Sequence, residues 1–126
     1  MATLDHLILP VNDVAASVGF YVDVLGFTAE GERPPFTVVR VDDDCVLQLA
    51  PWGTDGHVHL AFALSRPDFD AVFARIKARG LAYGPSFHAV GTNTGPGVES
   101  GAHGDAPTLY VDDPNAHLIE IRTYEP

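Results

Sequence analysis

Two histidines and one carboxylate occupy positions from which they could hold a metal ion. His6 and His59 each begin a run of alternating apolar residues, and Glu120 lies inside the apolar run that closes the chain. Strand side chains alternate between faces, so Glu120 shares a face with Leu118, Arg122 and Tyr124. A buried carboxylate is costly unless it is paired or bound to a metal. This segment alone leaves two interpretations open for Glu120: a surface ion pair with Arg122, or a buried ligand.

Length and composition predict one globular domain over residues 1–126, of ordinary hydrophobicity and with a net charge of −10. A net charge of this sign argues against nucleic acid or an anionic membrane as a partner, because both require a basic patch. The single cysteine, Cys45, excludes an intramolecular disulfide and fits a reducing compartment. Neither a signal peptide nor a membrane-spanning run is recognisable, which predicts a cytoplasmic protein.

The elements that must position these residues form two similar modules. Module 1 covers residues 1–50, a polar linker covers 51–56, and module 2 covers 57–126. In module 1 a strand leads to a helix that starts after Asp13 and stops at Gly26, and three strands follow. Module 2 repeats this order, with a helix from Ser65 to Gly80 and strands predicted at 81–87, 107–112 and 117–124. A Gly-rich stretch, 88–106, separates the first two of these strands. The pattern predicts an α+β fold of two βαβββ modules.

Superposing the two halves brings the candidate ligands into register. The run from His6 matches the run from His59 in strand, cap, helix and glycine stop, and residues 44–51 match 116–123. Gln48 therefore corresponds to Glu120. In a pseudo-twofold pair of curved sheets, corresponding strands converge on one cleft, where His6, His59 and Glu120 would meet. Two histidines and one carboxylate are the ligand set of non-haem Fe(II) oxygenases, and they also suit Mn(II) or Zn(II).

The paired modules with His6, His59 and Glu120 resemble the vicinal oxygen chelate superfamily over essentially the whole chain. Typical phrases are Val11–Ser17, Leu25-Gly26-Phe27 and Asp113-Pro114-Asn115 ahead of Glu120. The resemblance implies an eight-stranded cup with the helices outside, a divalent metal on His6, His59 and Glu120, and a homodimer. Gln48 falls where glyoxalase-type members place a fourth ligand.

The run from Gly101 to Glu120 is similar to the extradiol dioxygenase signature, which implies that His103 and Tyr110 assist catalysis beside the substrate. The run departs from that signature at Ala116, and no histidine base stands within Asp42–Gln48. The expected function is an Fe(II) dioxygenase acting on a substrate that chelates through two oxygens. Two alternatives stay open. One is a glyoxalase-like lyase or fosfomycin-resistance-like thiol transferase using Mn, Zn or Ni. The other is a metal-free drug-binding protein of the bleomycin-resistance type, for which Trp52, Phe36 and Tyr124 offer aromatic surface.

Overall fold

The computed structural model describes residues 1–126, and the chain divides into two compact units, Met1–Asp55 and Gly56–Pro126. The fold is α+β, with one sheet of four strands in unit 1 and one of five strands in unit 2. Each unit runs strand, helix, then further strands, as the repeat predicts. None of the helices is long and apolar enough to span a membrane.

Unit 1 forms the sheet β1-β4-β3-β2, with β1 parallel to β4. Asp13 caps the helical segment, since its side chain accepts a 2.9 Å hydrogen bond from the Ala16 N–H. The segment continues as a π-helical turn and ends before Gly26, whose φ of 82° suits glycine. Its elements are β1 (His6–Pro10), α1 (Val14–Val18), the π-helical turn (Gly19–Val24), β2 (Thr28–Arg33), β3 (Phe36–Arg40) and β4 (Val46–Ala50).

Unit 2 forms the sheet β5-β9-β8-β6, with β7 also paired to β8. Ser65 caps α2 by accepting a hydrogen bond from the Asp68 N–H. Helix α2 buries Phe69, Val72 and Ile76, at the helical spacing expected of a core-facing stripe. The elements of this unit are β5 (His59–Ala63), α2 (Arg66–Ala78), β6 (Tyr83–Gly84), β7 (Gly97–Gly101), β8 (Gly104–Asp112) and β9 (Leu118–Arg122).

The main difference from the sequence prediction lies between α2 and β8. The strand predicted at 81–87 is only two residues long, and the Gly-rich stretch contains a strand, β7. Strands β6 and β7 pair with successive parts of β8, Tyr110–Val111 and Gly104–Thr108. Together they fill one strand position, so the unit keeps the four positions that the repeat predicts. The chain leaves this edge after Gly84, and the backbone of Ala89 packs directly against that glycine, where no Cβ would fit.

The strand registers of the two units agree residue for residue. In unit 1 His6 lies opposite Val46 and Ile8 opposite Gln48. In unit 2 His59 lies opposite Leu118 and Ala61 opposite Glu120. Each histidine is therefore diagonal, on the same sheet face, to the polar residue at the middle of the neighbouring strand. The match of Gln48 with Glu120 that the sequence repeat predicts is confirmed.

Candidate functional site

His59 and Glu120 form the centre of the candidate site in unit 2. Parallel pairing of β5 with β9 places them diagonally on one face, and His59 Nε2 lies 2.9 Å from Glu120 Oε1. The carboxylate is buried, with 7% of its side chain exposed, while the histidine ring is 47% exposed. A buried acidic group thus contacts an imidazole that solvent can reach.

Tyr110 lies next to this pair on the adjacent strand. It is opposite Glu120 in the antiparallel register of β8 and β9, and its ring centroid is 5.9 Å from that of His59. Burial, together with the hydrogen bond to the Glu120 carboxylate, raises the pKa of Tyr110 to about 12. The phenol is therefore a hydrogen-bond donor at neutral pH rather than a base.

Arg122 binds the second oxygen of Glu120. Its Nη1 donates to Glu120 Oε2 at 2.7 Å, and only 4% of its side chain is exposed. The sequence left open a surface pair with Arg122 or a buried carboxylate, and the structure combines the two as a buried ion pair. Burial of Arg122 lowers its pKa, but hydrogen bonds to Glu120 and Tyr124 outweigh this and leave the pKa raised. The side chain is a permanent cation.

His103 lies in the turn between β7 and β8, where it contacts Tyr124. Its ring packs edge-on against Tyr124 at 5.2 Å, and its N–H donates to Tyr124 Oη at 3.2 Å. The Tyr124 ring in turn lies 5.0 Å from the Arg122 guanidinium carbon. His103 is thus connected to Glu120 through Tyr124 and Arg122, and its assistance to catalysis stays a prediction.

His6 and Gln48 lie in unit 1, on one face of its sheet. The His6 side chain is 46% exposed, and its Nδ1 is 2.7 Å from Asp5 Oδ2. Gln48 is half-buried and lines a hollow of about 180 Å³ with Glu30, Arg33 and Arg40. Both residues have the strand positions that the repeat predicts, and their role as ligands stays a prediction.

The donor atoms of unit 2 fit a metal ion as a partial site. Within neither unit do three or more His, Cys, Asp or Glu side chains gather to hold a metal. His59 Nε2 and Glu120 Oε1, however, lie 2.9 Å apart. Metal–ligand bonds of about 2.0–2.2 Å at a right angle would separate two ligand atoms by about 3 Å. The pair can therefore supply two adjacent ligands, and a complete site needs at least one more.

Gly101 is a site residue that the sequence did not indicate, and Tyr124 was predicted only as aromatic surface for drug binding. A Cβ at Gly101 would overlap both the Arg122 guanidinium and the Tyr124 hydroxyl, so only glycine allows this close approach. The sequence did indicate that Tyr124 would lie near Glu120, because Glu120, Arg122 and Tyr124 occupy every second position of one strand and so share a face. Nothing in the sequence showed which part of the Gly-rich stretch would pack against that face.

The fold and the site residues define a protein of the vicinal oxygen chelate type. A sequence profile of the Glyoxalase/Bleomycin resistance protein/Dioxygenase superfamily matches residues 3–121, and the chain belongs to this superfamily.

Among solved structures, Oxidase ChaP-H1 is 31% identical with a TM-score of 0.80, over 98% of this chain and 96% of that one. A possible glyoxalase from Bacillus cereus is 28% identical with a TM-score of 0.67, over 97% and 99% of the two chains. Virulence protein STM3117 of Salmonella typhimurium is 28% identical, over 96% of this chain and 83% of that protein. The family and its neighbours thus include enzymes, among them proteins named as an oxidase and a glyoxalase.

Proposed function

We propose that the protein is a metal-dependent enzyme, an extradiol-type dioxygenase that uses Fe(II) on a small substrate with two adjacent oxygens. The observation that carries this proposal is the 2.9 Å approach of His59 Nε2 to Glu120 Oε1 beside a protonated Tyr110. His6 is the proposed third ligand, since its register in unit 1 repeats that of His59. Gln48 is a candidate for a fourth. Similarity to a protein named as an oxidase supports this choice of reaction class.

The bound metal would supply Lewis acidity toward the two substrate oxygens and, as Fe(II), a centre for dioxygen chemistry. The protein residues would hold this metal and orient its ligands. Arg122 holds Glu120 at Oε2 and leaves Oε1 facing His59, so that the position of the carboxylate is set before substrate arrives. Tyr110 keeps its proton and donates a hydrogen bond to the Glu120 carboxylate, which helps to fix this proposed ligand. His103 contacts Tyr124, which in turn contacts Arg122, so its proposed assistance to catalysis is indirect.

A homodimer is part of the proposal. Strand β1 is the edge of the unit 1 sheet and β5 the edge of the unit 2 sheet, and each presents an exposed histidine on its face. Exposed Ile8 adds apolar surface to β1. Edge strands have backbone groups that can pair with another strand, and we propose that a second copy of the chain covers them.

Protein purified without chelator is expected to retain a divalent transition metal. After anaerobic loading with Fe(II), the protein should bind catechol more tightly than the metal-free protein does, as measured by calorimetry, because two adjacent oxygens can enter open positions on the metal. Admitting air should then consume dioxygen in proportion to the catechol lost. Zn(II)-loaded protein is the matched control and should consume no dioxygen. Metal retention without dioxygen uptake would favour the glyoxalase-like lyase or thiol-transferase alternative, whereas absence of any metal binding would contradict both enzyme proposals.

A metal-free drug-binding function is the second candidate, and a pocket in unit 1 favours it. The cavity measures about 310 Å³, and Phe36, three prolines and a single carboxylate, Glu32, line it. Trp52 is 62% exposed and its ring lies 5.8 Å from that of Phe36. An aromatic wall beside an acidic group suits a flat cationic ligand.

Trp52 is the only tryptophan in the chain, and its contact with the lining residue Phe36 lets its fluorescence report on binding in this pocket. If the pocket binds cationic aromatics, N-methylquinolinium should quench the fluorescence saturably. Glu32→Gln should weaken binding about three- to tenfold through loss of the charge. Asp23→Asn, an exposed change of the same charge in the same unit, is the control and should leave binding unaltered. Linear, non-saturating quenching in all three proteins would eliminate this second function.

A further inference from the structure

Arg122 is held far more firmly than a simple counter-ion to Glu120 would require. Besides its 2.7 Å bond to Glu120 Oε2, its Nη1 donates to the Ser100 carbonyl at 3.2 Å. Its Nη2 donates to the carbonyls of Glu99 at 2.9 Å and Gly104 at 3.1 Å. Three backbone acceptors of the β7–β8 hairpin therefore fix the guanidinium, and the absence of a side chain at Gly101 makes room for it. The cation cannot swing away from the carboxylate without breaking these bonds.

Arg122 and Glu120 are also a matched departure from the internal repeat. Strand β4 of unit 1 carries Gln48 and Ala50 at the positions where β9 carries Glu120 and Arg122. Glu120 and Arg122 thus occur together in unit 2, and Gln48 and Ala50 replace them in unit 1. This pattern indicates that Arg122 serves to pair with Glu120 and is not required by the fold that both units share.

The buried pair determines which carboxylate oxygen is available. Oε2 is engaged by the guanidinium, so Oε1, which faces the half-exposed His59 ring, is the oxygen that another cation can reach. A second cation at this carboxylate also meets the fixed positive charge of Arg122, and such repulsion is strong where water is excluded. Arg122 already supplies, in the metal-free protein, the charge compensation that a buried carboxylate would otherwise obtain from a metal.

We propose that Arg122 is a positioning residue that competes with the metal for Glu120 and restricts this carboxylate to one coordinating oxygen. This inference rests on the proposed metal site. The restriction has two consequences: the metal is bound more weakly than by an unpaired carboxylate, and a coordination position that Oε2 would fill stays open. A substrate that binds through two adjacent oxygens needs such open positions. Arg122 thereby weakens metal binding and keeps a coordination position open for the substrate.

The test uses Co(II) as the probe metal and full-length protein with Arg122→Gln or Arg122→Lys. Glutamine removes the charge but keeps an amide donor for the hairpin carbonyls, whereas lysine keeps the charge. Arg122→Gln should lower the Kd for Co(II) about tenfold and enlarge the rise in Tm that Co(II) causes, since the metal must then compensate the carboxylate alone. Its Co(II) absorption spectrum should indicate a higher coordination number. Arg122→Lys should bind Co(II) within about threefold of wild type, because a cation still faces Oε2. Arg66→Gln, which breaks an exposed pair with Asp70 in the same unit, is the control and should change nothing.

Tighter metal binding separates this role from a structural one, since damage to the site can only weaken binding. If wild type binds Co(II) and Arg122→Gln binds it no more tightly, the competition is refuted while the metal site stands. If wild type binds none but Arg122→Gln does, the competition is supported and the proposed metal-dependent function fails. If neither binds, both ideas fail together. Should Arg122→Gln not fold, Arg122→Lys can still refute the proposal, because a Kd changed by much more than threefold contradicts it.

Discussion

Glu120→Gln is expected to abolish metal retention and to destabilise the protein by about 3–5 kcal/mol, the range found when one partner of a buried ion pair is removed. The amide keeps the shape of the side chain, so the loss would come from charge. Arg122, with 4% of its side chain exposed, would be left buried without a counter-ion, and His59 would lose its acidic partner. Equilibrium dialysis with metal analysis measures the first effect, and urea unfolding measures the second.

Glu30→Gln is the matched control for Glu120→Gln. Glu30 and Arg40 also approach to 2.7 Å, but their side chains are 29% and 37% exposed. Pairs at this exposure contribute about 0–1 kcal/mol, so the control should unfold close to wild type and retain metal normally. Equal stability losses in the two variants would mean that burial adds nothing to the Glu120–Arg122 pair. Full metal retention in Glu120→Gln would remove Glu120 from the ligand set.

The internal repeat could be read from sequence because it depends on local chemistry that recurs. Asp13 and Ser65 cap equivalent helices, and Gly26 and Gly80, each with positive φ, end them. With caps and stops aligned, the strand alternation fixes which residues share a face. The correspondence of Gln48 with Glu120 followed, and the strand registers confirm it.

The environment of Glu120 could not be read from sequence, because strand alternation assigns a face but not its degree of exposure. Burial of the pair depends on the β7–β8 hairpin, whose carbonyls bind Arg122 from 18 to 23 residues away along the chain. The Gly-rich stretch that contains β7 has no apolar periodicity and therefore reads as a loop. Its glycines serve close packing at Gly97 and Gly101, which only the tertiary structure reveals. For the same reason the packing of His103 against Tyr124 was not foreseen.

Asp113→Ala is expected to cost about 2–4 kcal/mol of stability, because Asp113 organises the turn that sets the register of Tyr110 against Glu120. Its Oδ1 accepts hydrogen bonds from the N–H groups of Asn115 at 2.7 Å and His117 at 2.9 Å, and its Oδ2 accepts from the Asn115 amide at 3.0 Å. Alanine would remove the acceptor of two buried N–H groups, each costing about 1–3 kcal/mol when left unsatisfied.

Asp112→Ala provides the control for this variant, since Asp112 is the exposed neighbour and carries the same charge. It should unfold within about 0.5 kcal/mol of wild type. Because the turn lies between β8 and β9, its loss should also loosen the pairing of Tyr110 with Glu120. Hydrogen exchange at the amides of Tyr110 and Glu120 should accelerate in Asp113→Ala and stay at the wild-type rate in Asp112→Ala. Unchanged exchange in Asp113→Ala, despite a lower stability, would show that the strand pairing of the site is held by the sheet itself and not by this turn.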